Sequence, residues 1–318
     1  MTLLARAALA VTLSYTLSAA ASACSTCGCN LTSDWLSQGL VAESNTTLSL
    51  RYDYVPQTQL RSGLQSVDRT KITFPNATEI ERYTDNSYLT AALDRPLGSK
   101  WAVNLQVPFV MRPHATVGSG DTETSYSSTT GIGDVRLSAR YQRAVAAGIW
   151  GVQAGVKLPT GGVHQNFTAG PSAGQIADPS LQPGSGTTNA LVGAYHFGRL
   201  GPKFDYALQV QGDIPLNERL SYRPGTAATL SASVRFLRWP RVVPQLQLNA
   251  RVAARDSGAN ADTVNTGGEH IYAAPGVTFN LTRRASAFTI VQAPLYERVN
   301  GLQLTPKATF SAGLTYRL

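Results

Sequence analysis

The chain has 318 residues, a formal net charge of +8 and only 14% charged residues, at a mean hydropathy of −0.10. Ser, Thr, Asn, Gln and Gly replace the missing charge, which is unusual for a soluble enzyme and suits strands with an uncharged outer face and a polar inner one. Lys and Arg are scattered rather than blocked, so the basic balance does not point to nucleic acid as a partner.

At the N-terminus, Arg6 precedes an apolar run over 7–17, and Ala21-Ser22-Ala23 forms a small-residue cleavage site. This pattern predicts a signal peptide over 1–23 and Sec-type export. The apolar run is far short of the roughly 20 residues that span a bilayer as a helix, and no later stretch could do so. If the exported chain enters a membrane, it does so as strands. All three cysteines, Cys24, Cys27 and Cys29, fall in the expected periplasmic segment 24–43. They cannot pin the rest of the chain, so a disulfide framework is excluded. Three readings of them stay open. One is a disulfide formed in the oxidising periplasm. Another is a lipidated Cys24, since Ala21-Ser22-Ala23-Cys24 resembles a lipoprotein box. The third is a soft-metal site, because thiolates this close suit Cu(I) or Zn. No His follows in a Cys-x-x-Cys-His pattern, which argues against covalent haem. Residues 31–42 suggest a short helix or turn, with Trp35 either at the membrane interface or in ordinary packing.

From residue 44 onward the polarity alternates, as it does in strands whose side chains point to opposite faces. The first strand carries Leu48, Leu50, Tyr52 and Tyr54 on one face against Ser49, Arg51 and Asp53 on the other. A long polar connection over 57–81 leads to a return strand with Leu89, Ala91 and Leu93, and a turn at Pro96-Leu97-Gly98-Ser99. The third strand shows the pattern best: Trp101, Val103, Leu105, Val107, Phe109 and Met111 alternate with Ala102, Asn104, Gln106 and Arg112. A Gly/Ser/Thr-rich connection over 113–130 follows. Val135, Leu137, Ala139 and Tyr141 then return, and Trp150, Val152, Ala154, Val156 and Leu158 go out. Beyond the Gly/Pro-rich stretch 159–186, the apolar positions are Leu191, Gly193, Tyr195 and Phe197, then Phe204, Tyr206, Leu208 and Val210. Four further strands are read from Leu230 and Val234, from Leu246 and Leu248, from Ile271 and Phe279, and from Phe288 and Ile290. The last carries Leu304, Phe310, Leu314 and Tyr316. The chain ends in Leu318, where a barrel usually ends in an aromatic residue recognised by the assembly machinery.

This makes about twelve strands, an even number, with long polar connections alternating with short turns. The predicted fold is all-β: a transmembrane antiparallel up-and-down β-barrel over 44–318. Closure removes the edges that so many amphipathic strands would otherwise expose. Val107-Pro108, Leu158-Pro159, Ile214-Pro215 and Ala293-Pro294 recur late in outward strands, and Pro suits a strand end because it cannot donate to a ladder.

Two stretches carry a resemblance. Gly131-Ile132-Gly133-Asp134-Val135-Arg136-Leu137 resembles a strand start in the outer-membrane family of the MetA pathway of phenol degradation. Lys157-Leu158-Pro159-Thr160-Gly161 resembles the strand end that follows it there. Cys27-Gly28-Cys29-Asn30 with Ser33-Asp34-Trp35, and Arg51-Tyr52-Asp53-Tyr54 with Gln59-Leu60-Arg61-Ser62-Gly63, are similar to a subgroup of such barrels. The resemblance implies a barrel with a transport role, and does not imply phenol as the solute.

Catalytic signals are weak. Gly131-x-Gly133 lacks the Gly-Lys-Ser/Thr and helix of a phosphate loop, and reads as a strand entry. His114, His164, His196 and His270 are isolated in sequence, and no Gly-x-Ser-x-Gly occurs. We therefore expect no enzyme and no cofactor. On the polar face, Arg51, Arg112, Arg136, Arg140, Lys157, Arg235, Arg251, Arg255, Lys307 and Arg317 outnumber Asp53, Asp134, Asp205 and Asp213. That balance favours anions in an open lumen, unless Arg–Asp pairs knit it shut. The expected lumen contacts are Arg136, Arg140, Lys157, Arg251 and Arg255. The expected function is a channel in the cell outer membrane, in contact with lipid. It would pass or bind small solutes, anionic or aromatic, by passive diffusion through a narrow or loop-plugged pore. The alternative is a structural or sensing barrel whose cysteine segment binds copper or a redox partner.

Overall fold

The structure is a computed structural model that describes residues 45–318. The expected signal peptide, the segment 24–43 with its three cysteines, and Trp35 lie outside the described residues.

Twelve antiparallel strands close into a barrel. They are β1 (Thr47–Gly63), β2 (Ile80–Leu97), β3 (Trp101–Val117), β4 (Ser125–Ile132 and Val135–Val145), β5 (Gly148–Leu158), β6 (Asn189–Leu200), β7 (Phe204–Pro215), β8 (Ala227–Phe236), β9 (Val242–Ala253), β10 (Gly268–Asn280), β11 (Ala285–Pro306) and β12 (Thr309–Arg317). Each pairs with its neighbours in sequence, and β12 pairs back onto β1 from Thr47 opposite Arg317 to Tyr54 opposite Phe310. The end of β11 helps to close the seam. Its residues up to Val299 pair with β10, whereas Leu302, Gln303 and Leu304 pair with β1. The chain therefore reverses at Asn300-Gly301, where Gly301 has φ +59°. A glycine adopts that left-handed conformation without the steric cost a Cβ would bring.

The apolar face points outward as the alternation predicts: Trp101, Leu105 and Phe109 are exposed, while Ala102, Asn104, Val110 and Arg112 are buried. At the short-turn end, Trp101 meets Tyr141 edge-on at 5.1 Å, Tyr141 meets Trp150, and Phe236 packs with Phe204 and Trp239. Aromatics at this height form the girdle typical of a membrane barrel. No helix among the described residues is long and apolar enough to cross a membrane.

Three expectations need correction. First, the stretches 57–81 and 113–130 are not wholly loop. β1 and β3 run on to Gly63 and Val117, and β4 starts at Ser125. Their outer ends pair through Ser, Thr and Gln, so the apolar alternation stops before the ladder does. Second, two interior faces are apolar where the pattern placed those residues outside. Tyr195 is buried against Phe197 and Ala207, and Phe288 and Ile290 are buried with Ala274, whereas Val192 and Val291 are exposed. Glycines account for both cases. Tyr195 lies opposite Gly151 on β5, and Phe288 lies opposite Gly313 on β12. Each ring occupies the space a Cβ on its glycine would need, a cross-strand device that fills the gap a glycine leaves. Leu304 is likewise buried, with Leu60 and Ile80, against residues of the 64–79 connection. Third, Pro108 and Pro294 are not at strand ends. Both sit inside long strands, beside register shifts where a missing donor is tolerated.

Candidate functional site in the barrel lumen

Opposite Pro108, the ladder between β3 and β4 skips. Phe109 pairs with Ile132 and Gln106 with Arg136, so Gly133, Asp134 and Val135 face only Val107 and Pro108. Gly133 donates its N–H to the Pro108 carbonyl at 2.8 Å. The bulge leaves Asp134 buried and free of the ladder. On the neighbouring strand end, the Thr160 hydroxyl bonds the Gly133 carbonyl (2.9 Å) and accepts from Val135 N–H (2.9 Å). Gly161 N–H donates to Asp134 Oδ1 at 3.1 Å. The two motifs that carry the sequence resemblance are therefore one structural unit.

That unit holds a strap. The connection between β5 and β6 folds inward, and its residues 179–185 lie against the inner faces of β3, β4 and β5 with Leu181, Gln182, Pro183 and Gly184 buried. Leu181 is anchored apolarly against Phe167 and Ala177. The Thr129 hydroxyl donates to the Leu181 carbonyl. Arg112 on β3 donates to the Ser180 carbonyl (2.7 Å) and the Gln182 carbonyl (3.0 Å), and is itself steadied by Asn86 Oδ1 (2.6 Å) and the Tyr88 hydroxyl (3.1 Å). Ser185 donates to Asp134 Oδ2 from N–H (2.9 Å) and from Oγ (2.6 Å), and receives a bond from Lys157 Nζ at 3.0 Å. The strap crosses the base of its own loop where Gly161 meets Gly184. A Cβ on Gly161 would lie 2.5 Å from the Gly184 Cα. Only two glycines allow backbones to pass that closely.

Below the strap lies a cavity of about 200 Å³, whose lining includes Arg51, Arg112, Asp134, Arg136 and Lys157, with Tyr88, Pro108, Pro183 and Tyr222 among its less polar walls. Above it lies a bowl of about 710 Å³ between the 159–188, 216–226 and 254–267 connections. Pro179, Gly184, Ser185 and Tyr222 line both, so the strap is the partition between the two spaces.

The expected lumen contacts fall into different places. Arg136 and Lys157 line the cavity below the strap. Arg136 also lines a smaller adjoining space with Arg251 and Asp213. Arg140 grips Asp94 with both terminal guanidinium nitrogens, one at 2.8 Å, and both groups are buried. Arg255 lies beyond the end of β9, exposed, donating to the Thr263 carbonyl at 3.1 Å. Several cations face carboxylates: Arg51 with Asp53 (2.7 Å), Arg235 with Asp205 (2.9 Å), Lys157 with Asp134 (3.8 Å) and Arg136 with Asp213 (3.9 Å). Sequence reading missed Asp94, because only the apolar residues of β2 marked that strand. It also missed Glu297, which lies 3.3 Å from Arg61 and accepts from the Tyr272 hydroxyl at 3.0 Å. The strap itself was legible only as a Gly/Pro-rich stretch. Among the described residues no group of three His, Cys, Asp or Glu is placed to hold a metal.

In the loops outside the barrel wall, burial pushes the Asp256 carboxyl above the usual range. Hydrogen bonds from Gly225 N–H (2.7 Å) and the Tyr222 hydroxyl (3.0 Å) act against that shift, and neighbouring Asp262 adds to it.

No family model matches the chain, and no curated protein matches it in sequence. Among solved structures it is similar to the COG4313 outer membrane channel from Pseudomonas putida F1, with a TM-score of 0.62 at 13% identity, covering 87% of this chain and 97% of that one. The NanC porin (TM-score 0.45, 8% identity, 85% and 100% covered) and the translocator domain of autotransporter NalP from Neisseria meningitidis (0.47, 9%, 89% and 92%) are more distant. At these identities the likeness is one of fold: a closed antiparallel β-barrel.

Proposed function

We propose that the protein is an outer-membrane channel that passes small solutes passively through a polar, positively biased lumen. The observation that carries this reading is the strap: a buried segment folds into the barrel and is held by charged wall residues, between an outer bowl and an inner cavity. A barrel built only for structure has no need of a partition with a space on each side. Around the inner cavity, Arg51, Arg112, Arg136 and Lys157 stand against Asp53, Asp134 and Asp213, which among the described residues leaves the Arg112 charge uncompensated by a carboxylate and so draws anions. The apolar exterior with its aromatic girdle supports contact with outer-membrane lipid. The two motifs that meet at the strap support kinship with the phenol-degradation barrels. Export and insertion would follow the Sec route and the barrel assembly machinery. The chain's role is to bind and orient by charge and width, with no covalent step.

The test is single-channel conductance of the refolded chain in a planar bilayer under a salt gradient. We expect discrete steps and a reversal potential of the sign for anion preference. A folded, inserted protein that never conducts, even with residues 179–185 replaced by a short Gly linker, would refute the channel.

A further inference from the structure

Among the cations around the inner cavity, Arg112 is held differently from its neighbours. Arg51, Arg136 and Lys157 each stand near an aspartate. Arg112 is buried, and its hydrogen bonds go to neutral acceptors: the Ser180 and Gln182 carbonyls of the strap, Asn86 Oδ1 and the Tyr88 hydroxyl. One guanidinium nitrogen, Nη1, bonds both strap carbonyls. A guanidinium fork matches a carboxylate in two parallel bonds, and charge-assisted bonds are roughly twice as strong as neutral ones. A carboxylate reaching this point is a better partner for Arg112 than the carbonyls it now holds. Lys157 binds Ser185 at the other end of the same segment, within the same cavity. The Tyr88 ring lies 5.9 Å from the Arg112 guanidinium, and Pro108 and Pro183 add flat apolar surface.

We propose that the cavity beneath residues 179–185 is a binding site for a small carboxylate-bearing solute with an apolar, ring-sized body, and that its carboxylate replaces the strap carbonyls on Arg112 and so releases the strap. The solute thereby opens its own path. Neutral solutes of the same shape leave the strap in place. The proposal rests on the channel reading and deepens it by naming a solute class and a gate.

The experiment uses benzoate as the probe and benzamide as its neutral counterpart, on the full-length mature chain. In bilayers, millimolar benzoate should raise the open fraction of the wild type several-fold, and benzamide should not. Hydrogen exchange over 179–185 should quicken at least tenfold with benzoate alone. Arg112→Gln should show a higher open fraction without probe and no response to benzoate. Lys157→Gln should need about tenfold more benzoate for the same response. Arg112→Lys keeps the charge without the fork and should respond weakly, which separates lost recognition from a failed fold. Equal responses to benzoate and benzamide, wild-type behaviour of both Gln variants, or unchanged exchange in the strap at saturating benzoate would each overturn the gate. A channel that conducts with anion preference yet ignores benzoate removes this inference and leaves the channel reading standing.

Discussion

Removing the Asp134 carboxylate should free the strap without unfolding the barrel. Asp134 is buried and takes three hydrogen bonds: from Gly161 N–H at 3.1 Å, Ser185 N–H at 2.9 Å and Ser185 Oγ at 2.6 Å. Its Oδ2 also lies 3.8 Å from Lys157 Nζ. A hydrogen bond to a charged group contributes about 1.5–3 kcal/mol net, which gives a gross figure of about 4.5–9 kcal/mol for the three. The groups released border a cavity and can be solvated there, and Lys157 keeps its bond to Ser185, so roughly half of that should be realised. In Asp134→Ala the free energy of local strap opening should fall by about 2–4 kcal/mol, which speeds exchange by about 30- to 1000-fold. The assay is hydrogen–deuterium exchange by mass spectrometry on detergent-purified protein, comparing peptides that cover 179–186 with peptides of β7 and β9. Fast exchange confined to the strap peptide is the expected result. An unchanged strap peptide would show that Asp134 does not anchor it. Equal loss of protection in β7 and β9 would show that Asp134 supports the wall rather than the strap.

Three other outcomes follow from particular contacts. Gly184→Ala places a Cβ 2.5 Å from the Gly161 carbonyl oxygen. The strap should shift at a cost of about 1–3 kcal/mol, read as faster exchange over 179–186 with an unchanged heat-modifiability midpoint of the barrel. Tyr195→Ala empties the space over Gly151 and removes the bond from the Tyr195 hydroxyl to Gln142 (3.2 Å). It should destabilise the barrel by about 3–5 kcal/mol, seen as a lower midpoint in a gel-shift melting series. Asp256 concerns pH. Its folded carboxyl binds a proton more tightly than a solvated one, so its contribution to closing the 216–226 loop on the 254–267 loop is fully present below the solvated carboxyl's pKa, near 3.8, and is lost as pH rises through the folded value. Protection of the Gly225 amide, corrected for intrinsic exchange, should fall between acid and neutral pH, and Asp256→Asn should flatten that dependence.

The membrane-height core of most strands was legible, because alternation there is enforced twice: by an apolar exterior and by a polar lumen. β3 shows this most plainly, with Trp101, Leu105 and Phe109 exposed and Asn104 and Arg112 buried. Above that height only the lumen side is constrained, so Ser, Thr and Gln alternate with nothing apolar to mark the period. The outer ends of β1, β3 and β4 therefore read as loop. β6 and β11 failed differently. Their large apolar residues face inward because a glycine across the ladder leaves room for a ring, and the pairing of Tyr195 with Gly151 or Phe288 with Gly313 is known only once the register is known.

The amino-acid sequence by itself determined the class of fold, the number of strands, which end carries the long connections, and the polar character of the interior. Each of these follows from local periodicity and turn chemistry, which a chain carries residue by residue. Only the tertiary structure decided how those charges are used. It set Arg140 into a closed pair with Asp94, left Arg255 exposed in a loop, and folded a Gly/Pro-rich stretch into the lumen onto Arg112, Asp134 and Lys157. The reason is geometric. Which cation meets a carboxylate, and which a backbone carbonyl, depends on strand register, on a bulge opposite Pro108 and on the close crossing of Gly161 with Gly184. All three are relations between distant segments, which exist only after the barrel has closed.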